Sequence, residues 1–231
     1  LLKPENTLGK HWFNIILDFD EDTITYYIDS MWCATLPMLT KSFKYLKVGT
    51  LGTHKVGVEM SGAVDLYANF PLHDSFKHYP MGTVPFMWKA EGDVKVNGKD
   101  ELVLLSQDKD AIAYKKFDAQ KGHMILETYH FNYVNSGETS LEIMHGKNAL
   151  FSITTKGGDI YLNGKKLRYF LDEMWYRLRF EVDTKTGEGK FSINNKEPYT
   201  FSFDSKSLDG IRYTSKGGSE LRVDNIKLEH V

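Results

Sequence analysis

Cysteine, proline and long hydrophobic runs are scarce in this chain of 231 residues. The single cysteine, Cys33, excludes a fold that is held together by internal disulfide bonds. No apolar run approaches the roughly 18 residues that a membrane-spanning helix needs, so we expect no insertion into a membrane. Lys and Arg number 29 while Asp and Glu number 31, a balance that argues against nucleic acid as a partner.

Motifs that carry chemistry are also scarce. The eight histidines show no spacing typical of metal ligands, and there is no phosphate-binding glycine loop. No nucleophile can be assigned to a Ser-His-Asp or Cys-His set, so we predict no catalytic residues. Apolar residues make up 41% and charged residues 26% of the chain, which is the composition of a globular protein with a sizeable core.

The chain does contain a repeat. Trp12 is followed eight positions later by Asp20, and Trp175 eight positions later by Asp183, with apolar residues at every second position between them. This period of two predicts strands with one buried face. A turn and a second alternating strand follow each time, and the turn is two residues longer in the second copy. We interpret the repeat as two copies of one supersecondary unit.

Strand patterns also fill the rest of the chain, and the longest covers 123–134. Further strands are predicted near 84–89, 101–106, 111–117, 140–145, 149–154, 199–203 and 211–214. The Asn-Gly pairs at 97–98 and 163–164 predict type I′ turns, and the Gly-Gly pairs at 157–158 and 217–218 predict hairpin loops. No segment predicts a helix longer than two turns, and 43–48 is the best candidate for a short one. The fold class is therefore all-β.

Prolines, a glycine and clustered polar residues interrupt the alternation between 70 and 83, which predicts a domain boundary. We assign 1–75 to a first module and 76–231 to a second. Only 11 residues precede Trp12, so the first module is the C-terminal half of a unit whose second copy is complete. A half module leaves strand edges and an apolar face uncovered. We predict that upstream chain, another copy, or the strands at 84–170 complete it.

The order of these features resembles a known family. An alternating Trp strand, a turn, a strand ending in Asp or Asn, and the closing Leu-Arg-Val-Asp-Asn-Ile-Lys-Leu at 221–228 are similar to the C-terminal half of laminin-G-like jelly rolls of the concanavalin A-like lectin/glucanase group. The resemblance covers about 83–231 as a whole module and about 8–69 as half of another. In the first copy, Val64-Asp65 lacks the Asn-Ile continuation.

This resemblance implies an antiparallel β-sandwich of the jelly-roll type, with ligands on a concave sheet or on rim loops. Many such modules are attached to bacterial enzymes that act on polysaccharides, which implies an extracellular or cell-surface location. The best-known catalytic signature of the group, Glu-x-Asp-x-(x)-Glu, is absent. Calcium accompanies related jelly rolls, and four aspartates occupy repeated positions: Asp20, Asp65, Asp183 and Asp224. Calcium needs six or more oxygens, so we assign no cofactor and leave a structural calcium unassigned.

Aromatic residues, 13% of the chain, are the best candidates for binding, because the C–H faces of sugars stack on Trp and Tyr rings. The candidates are Trp32, Trp88, Tyr129, Tyr133, Tyr161 and Tyr169. A place in the core is the commoner role of such residues, at odds of about two in three for any one of them. Trp32 follows a strand end, so we expect it in an exposed turn. Trp12 and Trp175 fall on polar positions of their strands and are expected to cover the outer face of a sheet.

Arg177 and Arg179 alternate with apolar positions, so both are expected to point outward from one strand. Their guanidinium groups suit the carboxylate or sulfate of an acidic glycan, although cross-strand charge partners are the commoner explanation. Glu127 is a lone acid in an apolar strand, where it either faces a ligand or pairs with Lys or Arg. As carbohydrate-binding residues we select Trp32, Trp88, Tyr129, Tyr133, Arg177 and Arg179.

Three functions follow from these patterns. The leading hypothesis is a non-catalytic carbohydrate-binding or accessory region of a secreted or cell-surface bacterial protein, with a poly- or oligosaccharide as partner. The first alternative is a glycoside hydrolase or polysaccharide lyase of the same fold group, which predicts a deep cleft around Glu127, Tyr129 and Arg177. The second alternative is a structural or protein-interaction module, which predicts an exposed apolar patch instead.

Overall fold

The computed structural model describes residues 13–18, 23–28, 31–37, 71–77, 79–85, 87–133, 137–169, 171–204 and 206–231. The chain divides into two compact units, Leu1–Val64 and Asp65–Val231. Within the described ranges there is no helix long and apolar enough to cross a bilayer. The helix predicted at 43–48 and the Val64-Asp65 pair lie outside the described residues.

The first unit contains one antiparallel sheet. Its strands are β1 (Phe13–Asp18), β2 (Thr23–Ile28) and β3 (Met31–Pro37), in the order β1-β2-β3. The sequence places Trp32 in a turn, but Trp32 lies inside β3, opposite Tyr27. That prediction was wrong because the connection between β2 and β3 is shorter than expected, and only positions 29 and 30 separate the two strands.

The second unit contains the remaining strands. They are β4 (Leu72–Asp74), β5 (Trp88–Glu91), β6 (Asp93–Val96), β7 (Leu102–Leu105), β8 (Ala111–Gln120), β9 (His123–Tyr133), β10 (Glu138–His145), β11 (Asn148–Lys156), β12 (Asp159–Leu162), β13 (Lys165–Tyr169), β14 (Trp175–Asp183), β15 (Glu188–Ile193), β16 (Tyr199–Ser202), β17 (Leu208–Lys216) and β18 (Glu220–His230). Because β4 pairs with β18, residues 72–74 belong to this unit, and the division lies upstream of the predicted 75/76 boundary.

Two antiparallel sheets form a β-sandwich, as the alternating pattern and the resemblance predict. One sheet has seven strands in the order β13-β12-β11-β10-β17-β8-β5. The other has the order β16-β15-β14-β9-β18-β7-β6, with β4 paired to β18 as its eighth strand. The inner faces supply the core, where Phe151 of the seven-stranded sheet lies 5.4 Å, centroid to centroid, from Phe180 of the eight-stranded sheet. This matches the jelly-roll sandwich inferred from the sequence.

Glycines with positive φ lie in several of the connections between the two sheets. Gly92 (φ +75°) separates β5 from β6, which belong to opposite sheets. Gly217 and Gly218 (φ +61° and +83°) separate β17 from β18, which also belong to opposite sheets. The hairpin predicted at 217–218 is therefore wrong, because the chain crosses the sandwich there. The hairpin predicted at 157–158 is confirmed, since Lys156 pairs with Asp159 across it.

The two Asn-Gly pairs adopt different turns. Asn163 and Gly164 both have positive φ, at +48° and +78°, as a type I′ turn between β12 and β13 requires. At the other pair, the side-chain oxygen of Asn97 accepts hydrogen bonds from the backbone N–H groups of Lys99 (2.8 Å) and Glu101 (3.1 Å). This longer loop replaces the predicted type I′ turn, because an Asn side chain can stabilise a turn of its own.

The repeated hairpins have equal loops. Asp18 pairs with Thr23 and Asp183 with Glu188, so four residues separate the paired positions in each hairpin. The longer second turn inferred from the sequence is therefore wrong, and the counterpart of Asp183 is Asp18 rather than Asp20. A shift of two residues keeps every side chain on its predicted face, which is why the alternation did not reveal the error.

Candidate functional site

The outer face of the eight-stranded sheet collects four of the six selected residues. Tyr129 and Tyr133 lie on β9, where every second residue is buried, and Arg177 and Arg179 lie on the neighbouring strand β14. Arg177 pairs with Tyr129 in the strand register, and Arg179 pairs with Glu127. The outward face predicted for Arg177 and Arg179 is therefore confirmed, and the pairing of β9 with β14 brings them beside the two tyrosines.

A carboxylate holds the two arginines on this face. Nη2 of Arg177 and Nη1 of Arg179 both donate to Oε2 of Glu127, the latter at 3.1 Å. Nη1 of Arg177 also donates to the side-chain oxygen of Asn195 at 3.1 Å. Burial raises the pKa of Glu127, but the hydrogen bonds and charges of the two guanidinium groups outweigh it and hold that pKa below its ordinary value. The cross-strand charge partner expected from the sequence is thus Glu127.

Half-exposed rings form an aromatic platform, defined here as Phe131, Tyr133 and Trp175. Tyr133 is 42% and Trp175 39% exposed, and the Trp175 ring lies 5.7 Å from that of Phe131. The guanidinium carbon of Arg222 lies 4.8 Å from the centre of the Phe131 ring, and Nε of Arg222 donates to Glu220 at 2.5 Å. The platform therefore combines exposed ring surface with a fixed cation and a carboxylate beside it.

The selection of site residues missed Phe131, Trp175 and Arg222. Phe131 lies on the same face of β9 as Tyr129 and Tyr133, and the sequence predicted an outer face for Trp175. The strand pairing shows that these three residues are neighbours, because Phe131 lies opposite both Trp175 on β14 and Arg222 on β18. Such neighbours come from strands that are distant in sequence, so they could be found only after the sheet order was known.

Trp88 belongs to the core. It is 6% exposed, its ring packs beside those of Phe76 and Tyr213, and its indole N–H donates to Oδ2 of Asp74 at 2.8 Å. The selection of Trp88 as a sugar-contacting residue is therefore corrected, because neither ring face is available to a ligand. Trp32, in contrast, is 64% exposed and donates its indole N–H to Thr35.

The remaining candidates are dispersed. Tyr161 lies half-buried on β12 of the seven-stranded sheet, and the side chain of Tyr169 lies outside the described residues. Among the described residues, no group of three or more His, Cys, Asp or Glu side chains is close enough to hold a metal ion. Of the four aspartates considered for calcium, Asp20 and Asp65 are not described. Asp183 instead accepts a hydrogen bond from the backbone N–H of Lys185 at 2.8 Å.

The acids on this face differ in protonation behaviour. Burial raises the pKa of Asp224, which lies opposite Tyr129, whereas the pKa of Glu127 is lowered. Opposite shifts are typical of an acid and base pair. However, Arg177 and Arg179 hydrogen-bond Glu127, and this keeps it ionised and occupied rather than ready to transfer a proton.

Comparison with known proteins shows likeness at the level of the fold. No protein-family model matches the chain, and no curated protein sequence matches it. Among solved structures, a sialidase is similar at a TM-score of 0.62 and 13% identity over 71% of this chain, although the match spans only 19% of that sialidase. The T. cruzi calreticulin globular domain is similar at a TM-score of 0.53 and 11% identity, over 71% of this chain and 88% of that one.

A neurotoxin domain shows the same likeness. The binding domain of botulinum neurotoxin DC, solved in complex with SialylT, has a TM-score of 0.52 and 13% identity, over 71% of this chain and 49% of that one. At such low identity these similarities establish the β-sandwich fold alone.

Proposed function

We propose that the chain is a non-catalytic carbohydrate-binding region, built as a concanavalin A-like jelly roll, of a secreted or cell-surface bacterial protein. The observation that carries the proposal is the half-exposed Trp175 ring, held beside Phe131 with Arg222 over the Phe131 ring. A sugar ring stacks its C–H face on such a surface, while the adjacent Glu220 and Arg222 bond its hydroxyl groups. Poly- or oligosaccharides are therefore the proposed partners.

The neighbours of the same fold support a sugar ligand. One of them is a neurotoxin binding domain solved in complex with SialylT, and another is a sialidase. The enzymatic alternative, a hydrolase or lyase acting through Glu127, Tyr129 and Arg177, has less support because Glu127 is engaged by two guanidinium groups. An ionised carboxylate in that state is a poor proton donor.

The test is a glycan array of plant, algal and host glycans, followed by isothermal titration with the glycan that binds best. Trp175→Ala should weaken that binding by about tenfold or more, because it removes the stacking surface. Trp32→Ala is the matched control, since Trp32 is also an exposed tryptophan but lies in the other unit. The proposal is overturned if no glycan binds, and the platform is wrong if Trp32→Ala abolishes binding while Trp175→Ala does not.

A second function is proposed for the first unit, as an interaction module. The register places Ile15, Tyr26 and Ala34 in one row of the β1-β2-β3 sheet, and Ile24 pairs with Leu36 and Ile28 with Met31 in the rows beside it. Exposure on this apolar face reaches 44% at Ile15, 49% at Leu36 and 61% at Met31. We infer that a second copy of the chain covers this face.

Light scattering of the full chain tests this interaction. The chain should be dimeric, and Leu36→Lys should make it monomeric because a charge cannot be buried against another apolar sheet. Thr25→Lys is the control, since the side chain of Thr25 lies on the other face of the same sheet. A monomeric unsubstituted chain would exclude the second copy.

A further inference from the structure

A cleft lies at one end of the sandwich, between the β10–β11 turn and the segment that follows β16. Its volume is about 580 Å³, within the range of ligand sites in proteins. One wall consists of His145 and Asn148, and the other of Ser202, Phe203, Asp204 and Lys206. None of these residues belongs to the aromatic platform.

Hydrogen bonds to neighbouring segments hold both walls in place. Nδ1 of His145 donates to the carbonyl oxygen of Ser207 at 3.0 Å, and the backbone N–H of Gly146 donates to both oxygens of Asp209 at 2.8 and 3.0 Å. On the second wall, the backbone N–H of Phe203 donates to the carbonyl oxygen of Gly187 at 2.8 Å. The cleft is therefore formed before any ligand arrives, which lowers the entropic cost of binding.

The second wall of the cleft carries an aromatic ring. The ring of Phe203 lies 5.3 Å from that of Phe151 and 6.0 Å from that of Phe201, yet it remains partly exposed. Its position is fixed by this packing, so its free surface can contact an apolar face without a change of rotamer.

The polar groups of the cleft both donate and accept hydrogen bonds. Asn148 supplies an amide, Asp204 a carboxylate and Lys206 an ammonium group. Because a carbonyl oxygen can only accept, Nδ1 of His145 carries the proton that it donates to Ser207. Asp204 and Lys206 lie 3.5 Å apart and balance each other's charge. The cleft thus suits a neutral ligand with many hydroxyl groups and one apolar face.

We propose that this cleft is a second saccharide site, which binds one or two neutral sugar residues with Phe203 under the ring and Asn148 and Asp204 on the hydroxyl groups. The inference rests on the proposed carbohydrate function but not on the aromatic platform. The platform contains Trp175, the first residue of β14. Phe203 is hydrogen-bonded to Gly187, in the turn that follows Asp183, the last residue of β14. Eight strand steps of about 3.3 Å place the two sites roughly 26 Å apart.

Two sites at this separation affect how the protein binds a polysaccharide. A monosaccharide occupies each site independently, whereas one long polysaccharide chain can engage both. The second contact is then intramolecular and strengthens the overall binding without any new interaction. Loss of the cleft should therefore weaken binding to a polymer more than binding to a single sugar at the platform.

The test is a ¹H–¹⁵N correlation spectrum of the full chain, titrated separately with galactose, glucose, mannose and N-acetylglucosamine. At least one sugar should shift the amide signals of Asn148, Phe203 and Asp204. Asp204→Asn should weaken that binding by about tenfold because it replaces a charged acceptor with a neutral one, and Asn148→Ala should do the same because it removes the amide. Asp118→Asn is the matched control, since Asp118 is an exposed acid on β8, outside the cleft.

The outcomes separate this proposal from the proposed function. Shifts confined to Trp175 and Tyr133, unchanged by Asp204→Asn, would overturn the second site and leave the platform standing. Shifts at the cleft that persist in Trp175→Ala would support the second site whatever the role of the platform. If none of the four sugars shifts the cleft signals, the second site is overturned. Asp204 is 77% exposed at its side chain, so its substitution should leave the rest of the spectrum unchanged.

Discussion

Trp88 donates its indole N–H to the buried carboxylate of Asp74, with 2.8 Å between nitrogen and oxygen. The same carboxylate oxygen accepts from Nζ of Lys115 at 2.9 Å, and the other oxygen accepts from the backbone N–H of Phe76 at 3.2 Å. Asp74 is 3% exposed. One carboxylate therefore links β4, β5 and β8, and its partners explain how both a charge and an indole N–H are accommodated in the core.

Asp74→Ala should lower the free energy of unfolding by about 3–5 kcal/mol, because it leaves the Lys115 ammonium and the Trp88 indole without their buried partner. Urea denaturation followed by fluorescence measures this change. Asp93→Ala is the matched control, since Asp93 pairs with Lys95 across 3.0 Å but both side chains are more than 40% exposed. An exposed pair contributes less than about 1 kcal/mol. Equal losses in the two variants would contradict the role assigned to Asp74.

Glu127→Gln should destabilise the fold by about 1–3 kcal/mol at pH 7, since it leaves the guanidinium groups of Arg177 and Arg179 side by side without their carboxylate. The pKa of Glu127 is lowered in the folded chain, so its contribution is complete above the ordinary value of 4.5 and is lost as the pH falls below it. The difference between the variant and the parent chain should therefore shrink on acidification.

Chemical denaturation of both chains at pH 7 and pH 3 tests this expectation. Glu181→Gln is the control, because the side chain of Glu181 is 35% exposed and its contacts, 3.2 Å to His123 and 3.9 Å to Lys190, lie on the surface. A difference between Glu127→Gln and the parent chain that stays constant over this range would show that the charge of Glu127 contributes nothing.

Alternation alone predicted the fold class and the faces of the main strands. Arg177 and Arg179 point outward, as the sequence indicated, and β9 shows the same alternation, with its odd residues buried less than its even ones. These predictions succeed because the side-chain period of a strand is local and survives a two-residue error in register. The same insensitivity hid the correct alignment of Asp18 with Asp183.

Contacts between residues that are distant in the chain could not be predicted from the sequence. The burial of Trp88 depends on Asp74, 14 residues upstream, and the aromatic platform with its neighbour Arg222 depends on three strands from different parts of the chain. A bulge also breaks the alternation in β18, where Asn225 has φ +50° and lets both Val223 and Ile226 face the core. Asn tolerates this conformation, so the Asp-Asn-Ile sequence fits the bulge.

His130 makes stability dependent on pH. It is buried, its ring contacts that of Tyr213 at 5.3 Å, and its Nε2 has no hydrogen-bond partner among the described residues. Burial lowers the pKa of His130 to about 3 from an ordinary 6.5. Neutral His130 therefore contributes its full stability above about pH 6.5, and this contribution falls by about 1.4 kcal/mol for each pH unit well below that value, until the folded pKa is reached.

His130→Gln should flatten this acid dependence between about pH 6 and pH 4, because glutamine does not titrate. Denaturant unfolding at several pH values measures the slope. His123→Gln is the control, since His123 is 44% exposed at its side chain and bonds to Glu181 on the surface. If the parent chain and His130→Gln lose stability at the same rate on acidification, His130 is not buried in the neutral form.

Gly92 should tolerate no side chain at the corner between β5 and β6. A Cβ atom at this position would lie 2.4 Å from the carbonyl oxygen of Asp110, and φ is +75°. Gly82 has a similar φ of +83°, but a Cβ atom there would meet nothing within 4 Å. Gly82→Ala therefore isolates the cost of the backbone conformation, about 1 kcal/mol, whereas Gly92→Ala adds the steric clash and should cost about 2–4 kcal/mol. Urea midpoints measured at an unchanged m-value give both losses, and equal losses would show that the two sheets can move apart at this corner without cost.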